Sequence, residues 1–267
     1  MTYASSQGRL TVVGLGPGNA ELLTQQVRNS IASATDAFGY FPYIERLSGL
    51  EHLNLHASDN REELERARAA LHLAAQGKQV LMLSSGDPGV FAMASAVFEV
   101  LEYAAPDEQL LWQAVHIEVQ PGITAMLAAA ARLGAPLGHD FCTINLSNNL
   151  KPAEVIERRI RLAAQADFAM AFYNPCSRSR PEGFSRALQV LHQECEPERL
   201  ICFARNVSRP DETLRVVRLL DAQANMADMR TVVIVGNSQT RQVGKHVYTP
   251  RSYEAGSSAT SAVTDHA

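Results

Sequence analysis

Three short turns constrain the fold of this chain more than any other feature. Each follows a strand-like apolar run and precedes a helix-like one: Gly14-Leu-Gly-Pro-Gly18, Ser84-Ser-Gly-Asp-Pro-Gly89 and Gln120-Pro-Gly-Ile-Thr124. Strand, glycine turn and helix in repetition is what a parallel sheet demands, because parallel strands are joined by crossovers and not by hairpins. The strands are read at 10–13, 80–83 and 116–119, the first two of them apolar. Helical patterns follow at 21–32, 90–103 and 124–132, and a further one spans 60–76 with Leu64, Ala67, Leu71 and Ala74 on one face. Gly77 closes that helix where a left-handed cap is wanted. In open α/β sheets ligands bind beyond the carboxyl ends of the strands, so three such turns from one sheet converge on one crevice.

The segment Leu133-Gly-Ala-Pro-Leu-Gly138 reads as a linker, predicting an N-terminal α/β domain over 1–137 and a C-terminal α/β domain over 138–250. The second half repeats the alternation, with strands at 141–146, 168–173, 200–204 and 231–235 and helices at 152–165, 181–194 and 211–220. Pro152 and Pro181 suit first helical turns, where no N–H donor is needed. Residues 251–267 lack periodicity and predict a disordered tail.

Composition narrows the class. With 46% apolar and 19% charged residues, disorder along most of the chain is excluded. Lys and Arg number 24 against 28 Asp and Glu, a net charge of −4 that argues against a general nucleic-acid binder. No apolar run approaches the roughly 18 residues of a membrane span. Residues 1–8 have neither the basic start nor the apolar stretch of a signal peptide, so a cytoplasmic, soluble protein is expected. Cys142, Cys176, Cys195 and Cys202 form no CxxC pair and read as free thiols in a reducing compartment. His52 and His56 stand at metal-ligand spacing, but in a strand-like stretch whose solvated or substrate-facing edge explains them better. No metal site is expected.

The first turn invites a dinucleotide reading, with Asp36 near the place of a ribose-binding acid. Against it, Asn19 stands where the sixth-position glycine belongs, and Pro17 removes an N–H from a loop that should cradle pyrophosphate. A tight turn with no ligand is the bland alternative. In the second turn, Asp87 either faces a ligand or caps the helix that follows.

In order and spacing the three turns resemble those of the tetrapyrrole methylase family, the S-adenosylmethionine enzymes of sirohaem and corrin synthesis. The resemblance covers about 10–243. Five stretches look like the branch that methylates C(17) of precorrin-3B and contracts the macrocycle to precorrin-4 in cobalamin biosynthesis. They are Ser58-Asp-Asn-Arg-Glu-Glu63, Ser84-Ser-Gly-Asp-Pro-Gly-Val-Phe-Ala-Met93, Gly138-His-Asp-Phe141, Glu154-Val-Ile-Glu-Arg-Arg159 and Phe172-Tyr-Asn-Pro175. The branch that acts on cobalt-factor III shares these motifs and is the alternative. The resemblance implies a two-domain α/β fold with the methyl donor in the cleft between domains, S-adenosylmethionine as co-substrate, a precorrin substrate and a homodimer. It implies neither nucleic acid nor membrane as a partner. Carried residue by residue, it implies donor contacts at Pro17, Ser85, Gly86, Asp87, Thr124, Ala125, Tyr173 and Asn206. Core packing for Tyr173 and a turn cap for Asn206 compete with that reading.

The chain departs from the family at two places: Asn19 and Asn148 stand where relatives carry a carboxylate. Ring contraction requires a proton acceptor, and the candidates taken from the matched segments are His139, Asp140 and Asp59, in that order of preference. A hinge hydrogen bond is the alternative for His139 and Asp140. Arg61, Lys151, Arg178 and Arg180 are candidate clamps for substrate carboxylates, against the reading of solvated surface charges. A nicotinamide oxidoreductase and a non-catalytic corrin carrier are the readings from other classes.

Overall fold

The computed structural model describes residues 8–252; residues 253–267 of the expected tail lie outside them. The chain divides into two compact units, the division falling between Ala125 and Met126, earlier than the boundary expected at 137. Among the described residues no helix is long and apolar enough to cross a membrane.

The first unit runs β1 (Arg9–Gly14), α1 (Gln25–Ser33), β2 (Asp36–Tyr40), α2 (Phe41–Ile44), β3 (Asn54–Ser58), α3 (Glu63–Ala75), β4 (Gln79–Ser84), α4 (Met93–Glu102), α5 (Pro106–Trp112) and β5 (His116–Gln120). Its sheet has the order β3-β2-β4-β1-β5 with every pair parallel. Both faces are covered. Leu10, Val12, Val80 and Met82 pack with Ala67, Leu71 and Val97 of α3 and α4, while Val13, Leu81 and Leu83 pack with Val27 and Ile31 of α1. This two-sided burial is why these strands read as unbroken apolar runs.

Several expected bounds shift, each for a local reason. The helix expected at 21–32 is broken by two caps: Asn19 accepts from the Glu21 amide and Thr24 from the Val27 amide, so a short 3-10 turn precedes α1. The helix expected from 90 starts at Met93, after Phe91 with φ +53°. Leu64 is half exposed; the inward face of α3 is Ala67, Ala70, Leu71 and Ala74, with the buried Arg66 beside them. Gly77 does close α3, at φ +85° and with its N–H on the Ala74 carbonyl.

The second part of the chain runs α6 (Ala125–Leu133), β6 (Gly134–Ala135), β7 (Phe141–Asn145), α7 (Ala153–Gln165), β8 (Ala169–Tyr173), α8 (Gly183–Glu194), β9 (Leu200–Arg205), β10 (Thr213–Arg218), β11 (Thr231–Val235), β12 (Arg241–Val243) and β13 (His246–Tyr248). Its main sheet, β10-β9-β11-β8-β7, is mixed: β7 and β8 are parallel, and β11 runs antiparallel to both β8 and β9. The helix expected at 211–220 is the strand β10, paired residue for residue with β9. Thr213, Val216 and Val217 are β-branched and favour that extended edge. Ile156, Ile160 and Ala164 of α7 and Phe184, Leu188 and Leu191 of α8 cover one face of the sheet around Phe172. The expected linker is held: β6 pairs with β13, and the Thr249 hydroxyl donates to the Pro136 carbonyl at 2.6 Å.

The four cysteines are free, and burial pushes the Cys202 thiol up to about 12. His52 and His56 do not share a ligand. His52 Nε2 lies 3.0 Å from the Ile31 carbonyl, His56 Nε2 lies 3.0 Å from Asp36 Oδ1, and the His56 ring stacks on Phe38. Among the described residues no group of three His, Cys, Asp or Glu could hold a metal ion. Asp36 opens β2, at the amino end of the sheet and away from the glycine turns, which removes it as a ribose-binding acid.

Burial would raise the Asp36 carboxyl, but hydrogen bonds from His56, Thr35 and Asn54 outweigh it and hold the group below its ordinary range. A depressed carboxylate stabilises the fold above its unfolded pKa of about 3.9, and that contribution is lost as pH falls through the lower folded value. Asp36→Asn should therefore cost about 1–2 kcal/mol at pH 7, with the deficit shrinking below pH 4. Urea unfolding at the two pH values reads this directly, and an equal deficit at both would remove the carboxylate as the cause.

Candidate functional site

In the first unit β1 lies between β4 and β5, with Gly14 opposite Ser84 and Val13 opposite Gln120. The three turns therefore leave the sheet side by side and level with one another. They touch through backbone. Gly16 and Gly86 exchange N–H···O=C bonds of 3.1 and 3.0 Å, both in the left-handed region at φ +67° and +62°. A Cβ at Gly122 would lie 2.1 Å from the Gly86 carbonyl oxygen, and one at Gly14 would lie 2.6 Å from the Gly122 nitrogen. Glycine is needed there because the neighbouring atoms are backbone and cannot turn aside.

Side chains complete this seam. Asp87 does not cap α4: its Oδ1 accepts from Gly89 at 2.8 Å and its Oδ2 from Gly122 at 3.1 Å, latching the second turn to the third. Arg46, which the sequence reading passed over, donates to the carbonyls of Leu15 at 2.6 Å and Gly16 at 3.4 Å. It lies just after α2, at the carboxyl end of β2, a position that no motif in the sequence marks. At the end of β3, the buried Arg66 donates to Ser58 Oγ at 2.8 Å and to the Asp59 carbonyl. Burial lowers its guanidinium from the ordinary value, against the opposing charges of Glu63 and Glu62.

Pro17, Gly86 and Thr124 are buried at this edge, and Ser85, Asp87 and Ala125 are half-buried. Asp59 and Arg61 are exposed on the same edge, at the end of β3, where Asp59 Oδ1 accepts the Arg61 amide at 3.0 Å.

In the second unit β7, β8 and β9 point the same way, so Asn145, Tyr173 and Asn206 share the carboxyl edge of its sheet. The Tyr173 hydroxyl accepts the Met126 amide at 2.9 Å, in the first turn of α6. Asn206 adopts φ +49°, and its side-chain amide donates to Asp211 at 2.6 Å. Lys151, Arg178 and Arg180 lie in the loops that follow β7 and β8 at this same edge. Burial, together with the Arg159 charge, lowers the Lys151 ammonium from its ordinary value. His139 and Asp140 precede β7 and so lie at the opposite edge, about 16 Å away across a five-residue strand. His139 Nδ1 accepts the Asp140 amide at 2.8 Å.

The model of the tetrapyrrole (corrin/porphyrin) methylase family matches residues 9–223. A precorrin-3B C(17)-methyltransferase of Sinorhizobium is 50% identical over 255 residues, covering 94% of this chain and 99% of that one. A solved structure described as the methyltransferase CobJ superposes with a TM-score of 0.87 at 59% identity, over 91% of this chain and all of that one. A probable cobalt-factor III C(17)-methyltransferase of Salmonella typhimurium is 36% identical over 245 residues, covering 91% of this chain and 99% of that one.

Gly122→Ala forces the seam apart. It should cost about 1–3 kcal/mol and speed amide exchange at Gly16 and Gly86 together, because their reciprocal bonds depend on that approach. Unchanged exchange at those two amides would show that the turns do not lean on one another.

Proposed function

This chain belongs to the tetrapyrrole methylase family, and on that premise we propose that it transfers the methyl group of S-adenosylmethionine to C(17) of precorrin-3B, with contraction of the ring to precorrin-4. The observation that carries this reading is the glycine seam. Three level turns meet backbone to backbone at the carboxyl edge of a parallel sheet, the edge at which open α/β sheets take their ligands. The same geometry disfavours the nicotinamide reading. Pro17 interrupts the amide donors, the Asn19 side chain is held by the Glu21 amide, and Asp36 lies at the far edge.

When bound, the donor supplies a methyl group on a positively charged sulfur, open to in-line displacement by an electron-rich ring carbon. The work of the chain is positional. The donor contacts proposed in the first unit are Pro17, Ser85, Gly86, Asp87, Thr124 and Ala125 at its carboxyl edge; Tyr173 and Asn206, at the carboxyl edge of the second unit's own sheet, are proposed from the family resemblance. Holding two reactants in attack geometry contributes up to about 7–11 kcal/mol. Arg61, Lys151 and Arg178 are proposed as clamps for carboxylate arms of the substrate, and a homodimer is proposed from the family resemblance.

Contraction requires removal of a hydroxyl proton. Of the three acceptors drawn from the sequence, Asp59 shares a sheet edge with the glycine seam. His139 and Asp140 lie at the edge opposite Tyr173, and the Nδ1 lone pair of His139 is already engaged by the Asp140 amide. Asp59 is therefore the acceptor we favour.

Incubation with labelled S-adenosylmethionine and precorrin-3B should give a labelled, contracted product. No transfer, or transfer only to a cobalt-bearing intermediate, overturns the assignment. Asp59→Asn should still methylate but accumulate an uncontracted ring, whereas His139→Ala should contract normally. The reverse pattern would return the role to His139.

A further inference from the structure

A cavity of about 330 Å³ lies wholly within the second unit, lined by the amino ends of α7 and α8 and by the loop that follows β8. Leu146, Ile156 and Ile160 give it apolar walls, and Arg180 closes one side. Arg180 is fixed by its backbone: the turn from Ser177 is closed by reciprocal hydrogen bonds of 3.0 and 3.1 Å. Its side chain is not satisfied. Nε and Nη1 are buried without a hydrogen-bond partner, and the contact of Nη2 is the Met229 sulfur at 4.0 Å. Buried guanidinium hydrogens without an acceptor are costly, and an acceptor brought to this side of the cavity would relieve that cost.

Two further observations point to the same ligand. Neither α7 nor α8 has a side-chain cap, and their first residues, Ala153 and Gly183, line the cavity. Amide donors and the positive ends of two helices of 13 and 12 residues therefore face one space. The carboxylates nearby are already answered or in solvent: Glu157 pairs with Arg186 at 3.2 Å, and the Glu182 side chain is 75% exposed.

We propose that this cavity is a subsite for a short aliphatic carboxylate arm, its carboxylate on the Arg180 guanidinium and its methylenes against Leu146, Ile156 and Ile160. Apolar walls with a cationic closure fit a propionate or acetate arm better than an inorganic anion, which would leave the walls bare. The cavity lies at the same sheet edge as Tyr173. Assigning the arm to the tetrapyrrole substrate rests on the function proposed above, while a free short-chain carboxylate has the same chemistry.

Butanoate titrated into the full chain, followed by the amide resonances of Ala153 and Gly183, tests the site without turnover. Both resonances should move, and in Arg180→Met or Arg180→Gln the affinity should fall about ten- to a hundredfold, as loss of a charge-assisted pair demands. If the arm belongs to substrate, Arg180→Met raises KM for precorrin-3B by a similar factor while kcat holds, and butanoate competes with the tetrapyrrole. If the ligand is a free carboxylate, KM is unchanged while the butanoate response still depends on Arg180. Both outcomes support the subsite. No movement at Ala153 and Gly183, or the same movement in folded variants of Arg180, overturns it. Arg180-dependent butanoate binding in a chain that transfers no methyl group would overturn the proposed function and leave the subsite standing.

Discussion

Between Gly14, Gly86 and Gly122 three backbones approach more closely than any side chain permits, with virtual Cβ contacts of 2.1 to 2.6 Å to peptide atoms. Neighbouring strands lie about 4.8 Å apart within a sheet, so the turns must curl toward one another after leaving it. That contact exposes peptide groups that the sheet no longer pairs, and buried peptide groups need partners. The remaining features of this edge answer that need. Gly16 and Gly86 satisfy each other, Asp87 takes the Gly122 amide, and Arg46 takes the carbonyls of Leu15 and Gly16. The parallel sheet, the level strand ends and the choice of Asp and Arg all follow from keeping three backbones in contact.

The second unit meets its carboxyl edge with side chains. Its turns use non-glycine residues at positive φ, Asn174 at +52°, Asn206 at +49° and Ser208 at +66°, a conformation that asparagine tolerates because its short amide bonds locally. The Asn174 amide donates to Asn145, tying the ends of β7 and β8, and Asn206 reaches Asp211. A mixed sheet suits this arrangement, since β11 can lie antiparallel between β8 and β9 and still leave both with their carboxyl ends on one side. One unit thus offers close peptide approach, and the other offers tyrosine, amide and cationic groups.

Legibility in the sequence followed the same division. The strands β1 and β4 were readable because burial on both faces makes apolar runs, and the turns because glycine and proline mark them. β2 was missed, since Asp36 and Gly39 dilute its apolar signal although its centre is buried. β10 was misread as a helix because an exposed edge strand lacks a clean alternation, and its pairing with β9 is set by tertiary contact. Arg46 and Arg66 were invisible for a different reason: an arginine that satisfies backbone carbonyls has no motif, and only the fold brings it to them. The opposite placement of His139 was likewise hidden, because the motif that carries it adjoins β7 in sequence but at the strand's amino end.

Charge gives the last step. A sulfonium loses its positive charge as its methyl group leaves, so a fixed anion beside the sulfur would hold the starting complex more tightly than the transition state and slow the transfer. The seam contains one carboxylate, Asp87, and both of its oxygens are directed at backbone amides. Its one nearby cation, Arg46, is directed at two carbonyls. Asn19 adds no charge; its side chain accepts the Glu21 amide and opens the 3-10 turn. What this edge then presents to a ligand is glycine and peptide dipole. In the donor site proposed above, such a surface would discriminate little between the charged and neutral forms of the methyl donor, and the rate would rest on the geometry in which the ring carbon is held.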